Sequence, residues 1–219
     1  MTERSPYPRI RQRYNRRSRA YAALVDPLEA PIRSASIDLL DPVDGEAVVD
    51  IGCGTGAATV AIGGRISPNG IVVGIDLAPA MCELTVRRLR QHGVHNAMVV
   101  EGEATVLPIV SDSVDAVFVS FVLDLLTPAD VMATLAEIAR ALDVNGRLCV
   151  VALAASERSV GGSIYTQLRR LAPSLLDCRP IPTVELLEAA SFTPYRRLAI
   201  THWGLPIEAI LARPPQASA

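Results

Sequence analysis

Lysine is missing altogether: every one of the 21 basic side chains in this 219-residue sequence is an arginine. No catalytic Tyr–Lys pair can be assembled, which counts against short-chain-dehydrogenase chemistry. Aromatic residues make up only 4% of the chain, so its core must be built from aliphatic side chains. The four cysteines, Cys53, Cys82, Cys149 and Cys178, lie far apart and form no C-x-x-C pair. They read as reduced thiols in a cytosol. No uninterrupted apolar run reaches the roughly eighteen residues of a membrane span, and the N-terminus lacks the apolar centre of a signal peptide, so a cytoplasmic location is expected. With 21 basic against 23 acidic residues the net charge is −2, and no global field draws the chain to nucleic acid or to an anionic membrane.

Half of the residues are hydrophobic, enough at this length for one sizeable core. One domain over residues 1–219 is expected. Residues 1–17 form a basic arm, with Arg4, Arg9, Arg11, Arg13, Arg16 and Arg17 against the single acid Glu3. Such an arm is either solvated or laid over a pocket or an anionic partner. Residues 18–45 have helical spacing, with Tyr21, Leu24, Val25 and Leu28 before a break at Pro31 and Ile32, Ile37, Leu39 and Leu40 after it, so two helices are expected.

From 46 to 153 the chain alternates. Strands are expected at Ala47–Ile51, Gly70–Ile75, Ala97–Glu101, Val114–Ser120 and Arg147–Leu153. Helices are expected at Thr55–Ile66, Ala78–Gln91 and Pro128–Leu142. Residues 154–182 read as an irregular insertion. Thr183 then looks like the N-cap of a helix through Ala190, and strands at Arg196–His202 and Ile207–Ala212 flank a Gly204-Leu205-Pro206 turn. Continuous Val/Ile-rich strands between amphipathic helices argue an α/β fold, a doubly wound and mostly parallel seven-stranded sheet closed by an antiparallel C-terminal strand.

The chemistry is concentrated at the strand ends. Gly52-x-Gly54-x-Gly56 ends one strand and opens a helix, where bare backbone can turn sharply and a ligand can approach without meeting Cβ atoms. With Ala57 the turn also satisfies G-x-G-x-x-A, and Asp76, twenty residues beyond Gly56, can accept hydrogen bonds from both hydroxyls of a ribose. Asp50, two residues before Gly52, suits a cationic amino-acid end or a hydrogen-bonded turn better than a pyrophosphate. Glu103, just past the third strand, can reach an exocyclic adenine amine while Ala104 offers its backbone N–H.

These residues resemble the class I S-adenosylmethionine-dependent methyltransferases. Val49-Asp50-Ile51-Gly52-Cys53-Gly54-Thr55-Gly56 is similar to the family's first motif and Gly74-Ile75-Asp76-Leu77-Ala78-Pro79-Ala80-Met81 to its second. Glu101-Gly102-Glu103-Ala104 matches the third, Asp115 to Ser120 with Val122-Leu123 the fourth, and Leu142-x-x-x-Gly146-Arg147-Leu148 the fifth. Within the family, Leu107-Pro108, the run from Ser120 to Leu125 and Gly204-Leu205-Pro206 look closest to the quinone-biosynthesis C-methyltransferases and their small-molecule relatives. The resemblance implies S-adenosylmethionine as cofactor. Its methionine part would lie on Asp50 and the Gly52-Cys53-Gly54-x-Gly56 turn, its ribose on Asp76 beside Leu77 and Met81, its adenine on Glu103 and Ala104, and its methyl group near Ser120 and Phe121. It also implies a small acceptor, apolar or aromatic, methylated on oxygen, carbon or nitrogen.

Other residues stay open. Asp124, in an apolar run at the rim of the fourth strand, and His202 are the candidates for a general base. Tyr21, Asp124, Tyr165, Arg179 and Trp203 are the candidates for acceptor contact. His92 and His95 sit at a helix end without further ligands, so no metal is expected. An NAD-type oxidoreductase or a non-catalytic cofactor-binding protein would use the same fold. A nucleic-acid methylase would be expected to carry N/D-P-P-Y/F after the fourth strand, where Ser120-Phe121-Val122-Leu123 stands. The arginine-rich face of the Ala78–Gln91 helix suits solvent or a second copy of the chain.

Overall fold

The computed structural model describes residues 7–8, 11–16, 26–155, 178–202 and 204–216. Its elements are α1 (Asp26–Leu40), β1 (Ala47–Ile51), α2 (Ala57–Arg65), β2 (Ile71–Asp76), α3 (Pro79–Gln91), β3 (Ala97–Glu101), β4 (Val114–Ser120), α4 (Pro128–Ala141), β5 (Leu142–Leu153), α5 (Thr183–Ala189), β6 (Thr193–His202) and β7 (Leu205–Arg213). Seven strands form one sheet in the order β3-β2-β1-β4-β5-β7-β6. Strands β1 to β5 pair in parallel, and β7 lies antiparallel to both β5 and β6.

Side-chain alternation divides the core between the two faces of the sheet. Val48, Phe118, Val151 and Leu211 pack with Ile37 and Leu40 of α1 and Ile62 of α2. Val49, Val117, Val150 and Ile210 pack with Leu135 and Ile138 of α4 and Leu187 of α5. Chain connections run to opposite sides from β1 and from β4, so the crevice at their carboxyl ends is where an open α/β sheet binds ligands. No helix among the described residues is long and apolar enough to cross a membrane.

Several boundaries differ from the sequence expectation: β6 starts at Thr193 and β7 at Leu205, so that Leu205 and Pro206 of the expected turn already pair with His202 and Thr201, and α2 spans only Ala57–Arg65. The break at Pro31 does not occur; α1 runs through it. Pro31 withholds one N–H from the carbonyl four residues earlier, near the helix start, while Arg33 reaches back across it to Asp26 at 2.8 Å. Thr183 is not an N-cap but the first helical residue, its hydroxyl buried without a hydrogen-bond partner among the described residues. Pro182 holds the capping position instead, because Ile181 is tied to the sheet by donating to the Leu153 carbonyl at 3.1 Å. β5 begins at Leu142 rather than Arg147, since Leu142 pairs with Val114 before the register shifts around residues 143–146.

Arg147 links the sheet to the end of α1. Its guanidinium donates to Glu46 at 2.7 and 2.8 Å, to the Leu40 carbonyl at 2.7 Å and to the Asp41 carbonyl at 2.9 Å. Burial alone would raise the Glu46 carboxyl, but the Arg147 hydrogen bonds and the Val43 N–H outweigh it and hold the carboxyl below its ordinary value. A depressed carboxyl contributes stability above its unfolded pKa and loses it as pH falls through the folded one. Glu46→Gln should therefore cost on the order of 1 kcal/mol at pH 7 in chemical denaturation, with the difference from wild type shrinking below about pH 4.

Candidate functional site

The site grows from the turn after β1. Gly52, Gly54 and Gly56 take φ of 69°, 55° and 80°, a left-handed region that strains any residue with a Cβ. Gly52 and Cys53 both donate to the Ile75 carbonyl, at 2.7 and 3.0 Å, so the turn is pinned to the end of β2. A Cβ on Gly52 would stand 2.2 Å from Val122 Cγ2, and one on Gly56 would stand 2.8 Å from the Thr85 Cα of α3. Gly52 is thus bare to let the segment after β4 approach, and Gly56 to let α3 pack on the start of α2. A Cβ on Gly54 would meet nothing nearer than the Gly52 carbonyl at 3.8 Å and would stand in open space.

Asp76, the last residue of β2, receives this turn. It accepts from Gly54 N–H at 2.9 Å and from Ala78 N–H at 2.8 Å, one on each oxygen. Burial pushes its pKa up against those two donors. A carboxylate has about four lone-pair sites, so two remain for further donors. Asp50 behaves differently. Alternation along β1 puts it on the face of the sheet covered by α1 and α2, where it accepts from the Thr59 hydroxyl at 2.6 Å. Only 2% exposed, it is pushed up to about 6 by burial, with the Thr59 hydrogen bond opposing.

The glycine turn, Asp76 and the segment after β4 enclose a cavity of about 770 Å³, counting the space open to solvent. Gly52, Gly54, Asp76, Leu77, Met81, Glu103, Ala104, Ser120 and Phe121 all line it. So do the aliphatic side chains of Val122, Leu125 and Leu126. Phe121 holds φ at 54°, a conformation that costs on the order of 1 kcal/mol for such a residue, and its N–H donates to the Val151 carbonyl at 2.9 Å. That bend places Ser120, Phe121 and Val122 on the same wall. Asp50 and Cys53 lie instead on an adjoining cleft, which shares Gly52, Gly54, Ser120 and Phe121 with the first and extends to Asp26, Glu29 and Arg33 of α1. Gly56 lines neither.

The acceptor-side candidates scatter. Asp124 sits in a 3-10 turn at Leu123–Leu125, 1% exposed, with no hydrogen-bond partner of full geometry among the described residues. Burial pushes it up to about 7, with the neighbouring Cys178 thiol opposing. Arg179 closes over this turn: its N–H donates to the Asp124 carbonyl at 3.3 Å and its guanidinium to the Leu126 carbonyl. His202 ends β6, three strands from β4 in the sheet order, which is roughly 14 Å at strand spacing. Tyr21, Tyr165 and Trp203 lie outside the described residues.

Two lining residues were not expected. Tyr7 and Tyr14 come from the N-terminal arm, and Tyr7 donates to Thr105 Oγ1 at 3.3 Å. Their seven-residue separation, two helical turns within an arginine-rich stretch, is the signal that points to them.

These residues fit S-adenosylmethionine. The space left bare at Gly54, the two unused acceptor sites of Asp76 and the presence of Glu103 on the same cavity suit an adenosyl group.

A family model described as a methyltransferase domain matches residues 48–146. The chain is 32% identical over 150 residues to the aklanonic acid methyltransferase DauC of Streptomyces sp. (strain C5), covering 68% of this chain and 66% of that protein. It is 31% identical over 182 residues to the demethylmenaquinone methyltransferase of Corynebacterium kroppenstedtii, covering 83% of this chain and 70% of that protein. The chain thus spans about two thirds of the length of these curated relatives. A solved S-adenosylmethionine-dependent methyltransferase from Aquifex aeolicus superposes with a TM-score of 0.63 at 19% identity, over 82% of this chain and 88% of that one, a likeness of fold. The oxidoreductase and non-catalytic readings find no support among these proteins. From the glycine turn to the shared cavity, geometry and relatives agree that this chain belongs to the S-adenosylmethionine-dependent methyltransferase family.

Proposed function

We propose that this chain methylates a small, apolar or aromatic acceptor on oxygen, carbon or nitrogen. The observation that carries the reading is the polarity of one cavity: Asp76 and Glu103 at the ends of β2 and β3, and Phe121, Val122, Leu125 and Leu126 beyond β4. The relatives named for demethylmenaquinone and aklanonic acid point the same way. S-adenosylmethionine supplies a methyl group on a positively charged sulfur, so transfer removes charge and requires no oxyanion hole.

The residues of this chain then have three tasks. Asp76 and Glu103 hold the nucleoside end. The bare turn at Gly52 and Gly54 lets the ligand lie against backbone. The aliphatic wall after β4 excludes water and orients the acceptor, and alignment of this kind can be worth on the order of 7 to 11 kcal/mol. Of the residues considered for a general base, Asp124 is the one whose turn lines the cavity through Leu125, and it would take the acceptor's proton when that acceptor is a phenol, an enol carbon or a protonated amine. Arg179 would hold that turn in place.

The direct experiment supplies labelled S-adenosylmethionine with a panel of reduced quinones and hydroxylated aromatic compounds and follows label into the acceptor. No transfer to any apolar or aromatic member, with transfer to a polar peptide or an oligonucleotide, would overturn the acceptor class.

Asp76→Ala should weaken S-adenosylhomocysteine binding about 100-fold or more in isothermal titration calorimetry, a loss of ~2.7 kcal/mol. Equal affinity in wild type and variant would remove the proposed site.

Asp124 yields a prediction in two parts. A carboxyl raised to about 7 by burial binds its proton in the folded chain where the unfolded chain has lost it, so its contribution to stability declines as pH rises from about 4 to 7. Asp124→Asn should therefore raise the melting temperature relative to wild type at pH 8 and change it little at pH 4. As a base, Asp124 works ionised, so wild-type kcat should rise with pH through about 7 and the variant should lose that limb. An unchanged pH–rate profile would leave Asp124 outside the reaction.

A further inference from the structure

We propose that the N-terminal arm is a strap over the nucleoside end of the site, with Tyr7 and Tyr14 touching the bound cofactor and an Arg11–Glu101 ion pair fastening the strap to the sheet. This rests on the methyltransferase reading above and adds to it a part of the site that none of the five strand-end motifs contains.

Three contacts locate the arm. Arg11 pairs with Glu101, the last residue of β3. Tyr7 Oη donates to Thr105 Oγ1, two residues past Glu103. Asn15 Oδ1 accepts from the Ala80 N–H at 3.1 Å, in the first turn of α3. Arg11 and Asn15 are anchored on the β2–β3 side of the sheet, where Asp76 stands, while Tyr7 reaches from Thr105 towards Asp130 in the first turn of α4. The two rings enter the same cavity as Leu77, Gly102 and Ala104. A second recess between arm and sheet, lined by Tyr7, Arg11, Asn15 and Arg16 with Leu77 and Glu103, continues from it.

The arrangement couples ligand and arm. A nucleoside offers a flat face, and a tyrosine ring packs against such a face regardless of base identity. A ligand that touches the rings stabilises the fastened arm, and it can leave only when the arm lifts. The Arg11 and Glu101 side chains are 48% and 47% exposed, so their attraction is modest and screened by salt. Such a clasp opens readily, and it places control of cofactor exchange at the arm. Arg11 thereby answers a carboxylate of the chain itself, Glu101.

The test uses the full chain and S-adenosylhomocysteine, with affinity by calorimetry and dissociation by stopped-flow displacement. Tyr7→Ala and Tyr14→Ala should each weaken binding by roughly 5- to 150-fold, the range that loss of one aromatic–base stack produces, and mostly through faster dissociation. The melting temperature of the unliganded chain should stay unchanged in Tyr14→Ala and fall slightly in Tyr7→Ala, which also loses the Thr105 hydrogen bond and its packing on the core. Glu101→Gln should speed dissociation about two- to fivefold at low salt, with the difference vanishing near 1 M salt. Tyrosine variants that bind within about twofold of a wild type that does bind would overturn the strap and leave the methyltransferase reading intact. A wild type that does not bind overturns both. Should a tyrosine variant fail to fold, Glu101→Gln decides: dissociation unchanged at low salt overturns the proposal.

Discussion

The site depends on one close approach, that of the turn after β1 to the segment after β4. β1 and β4 are neighbours, paired from Val48 with Ala116 to Ile51 with Val119, so their carboxyl ends finish at one level. Beyond that level the two chains must leave in opposite directions without colliding. Gly52 has no Cβ because Val122 occupies the place it would take, and Phe121 takes a left-handed backbone to bring Val122 there. The cavity is what remains where the two exits diverge. Its position follows from strand order, and its chemistry from the few side chains that the exits carry.

Three carboxyl groups near this junction are almost equally buried, and their surroundings give them different parts. Asp26 is held by Arg33 at 2.8 Å and Arg88 at 2.6 Å, which joins α1 to α3. Asp50 is held by the Thr59 hydroxyl of α2 and braces the start of that helix. Asp124 has no cation or hydroxyl of that kind among the described residues, and the Cys178 thiol beside it offsets only part of its burial. Burial raises both Asp50 and Asp124, to about 6 and about 7, and of the two Asp124 is the one without a strong hydrogen-bond donor fixed on its carboxylate.

The legible parts of the fold were those specified by short-range pattern. β1, β3 and β4 begin and end where apolar runs meet turn residues, and their bounds coincide with the sequence expectation. Asp76, Glu103, Leu77 and Met81 were legible because each sits at a fixed offset from a strand end. Elements decided by distant partners were not. Pro31 reads as a helix breaker until Asp26 and Arg33 span it. Thr183 reads as a cap until the pairing of Ile181 with Ala154 shows that the preceding residues belong to the sheet. Tyr7 and Tyr14 carry only their seven-residue spacing as a signal, because what places the arm is distant in sequence: Tyr7 meets Thr105 across a separation of 98 residues.

The same division separates the two halves of the cavity. The half proposed for the nucleoside is made by consecutive segments from Gly52 to Ala104, which follow one another from β1 to β3 across the sheet. The other half is assembled from parts far apart in sequence: the turn after β4, with Arg179 donating to the Asp124 and Leu126 carbonyls, and Ile181 donating to Leu153. These contacts are largely to backbone carbonyls, which every side chain leaves in place. Substitutions along residues 178–181 can therefore reshape the acceptor wall without altering the hydrogen bonds of Asp76 or the path of the glycine turn. A fold built this way can keep one cofactor and change acceptors, because the residues proposed for the cofactor and those proposed to bound the acceptor share a cavity but few supporting contacts.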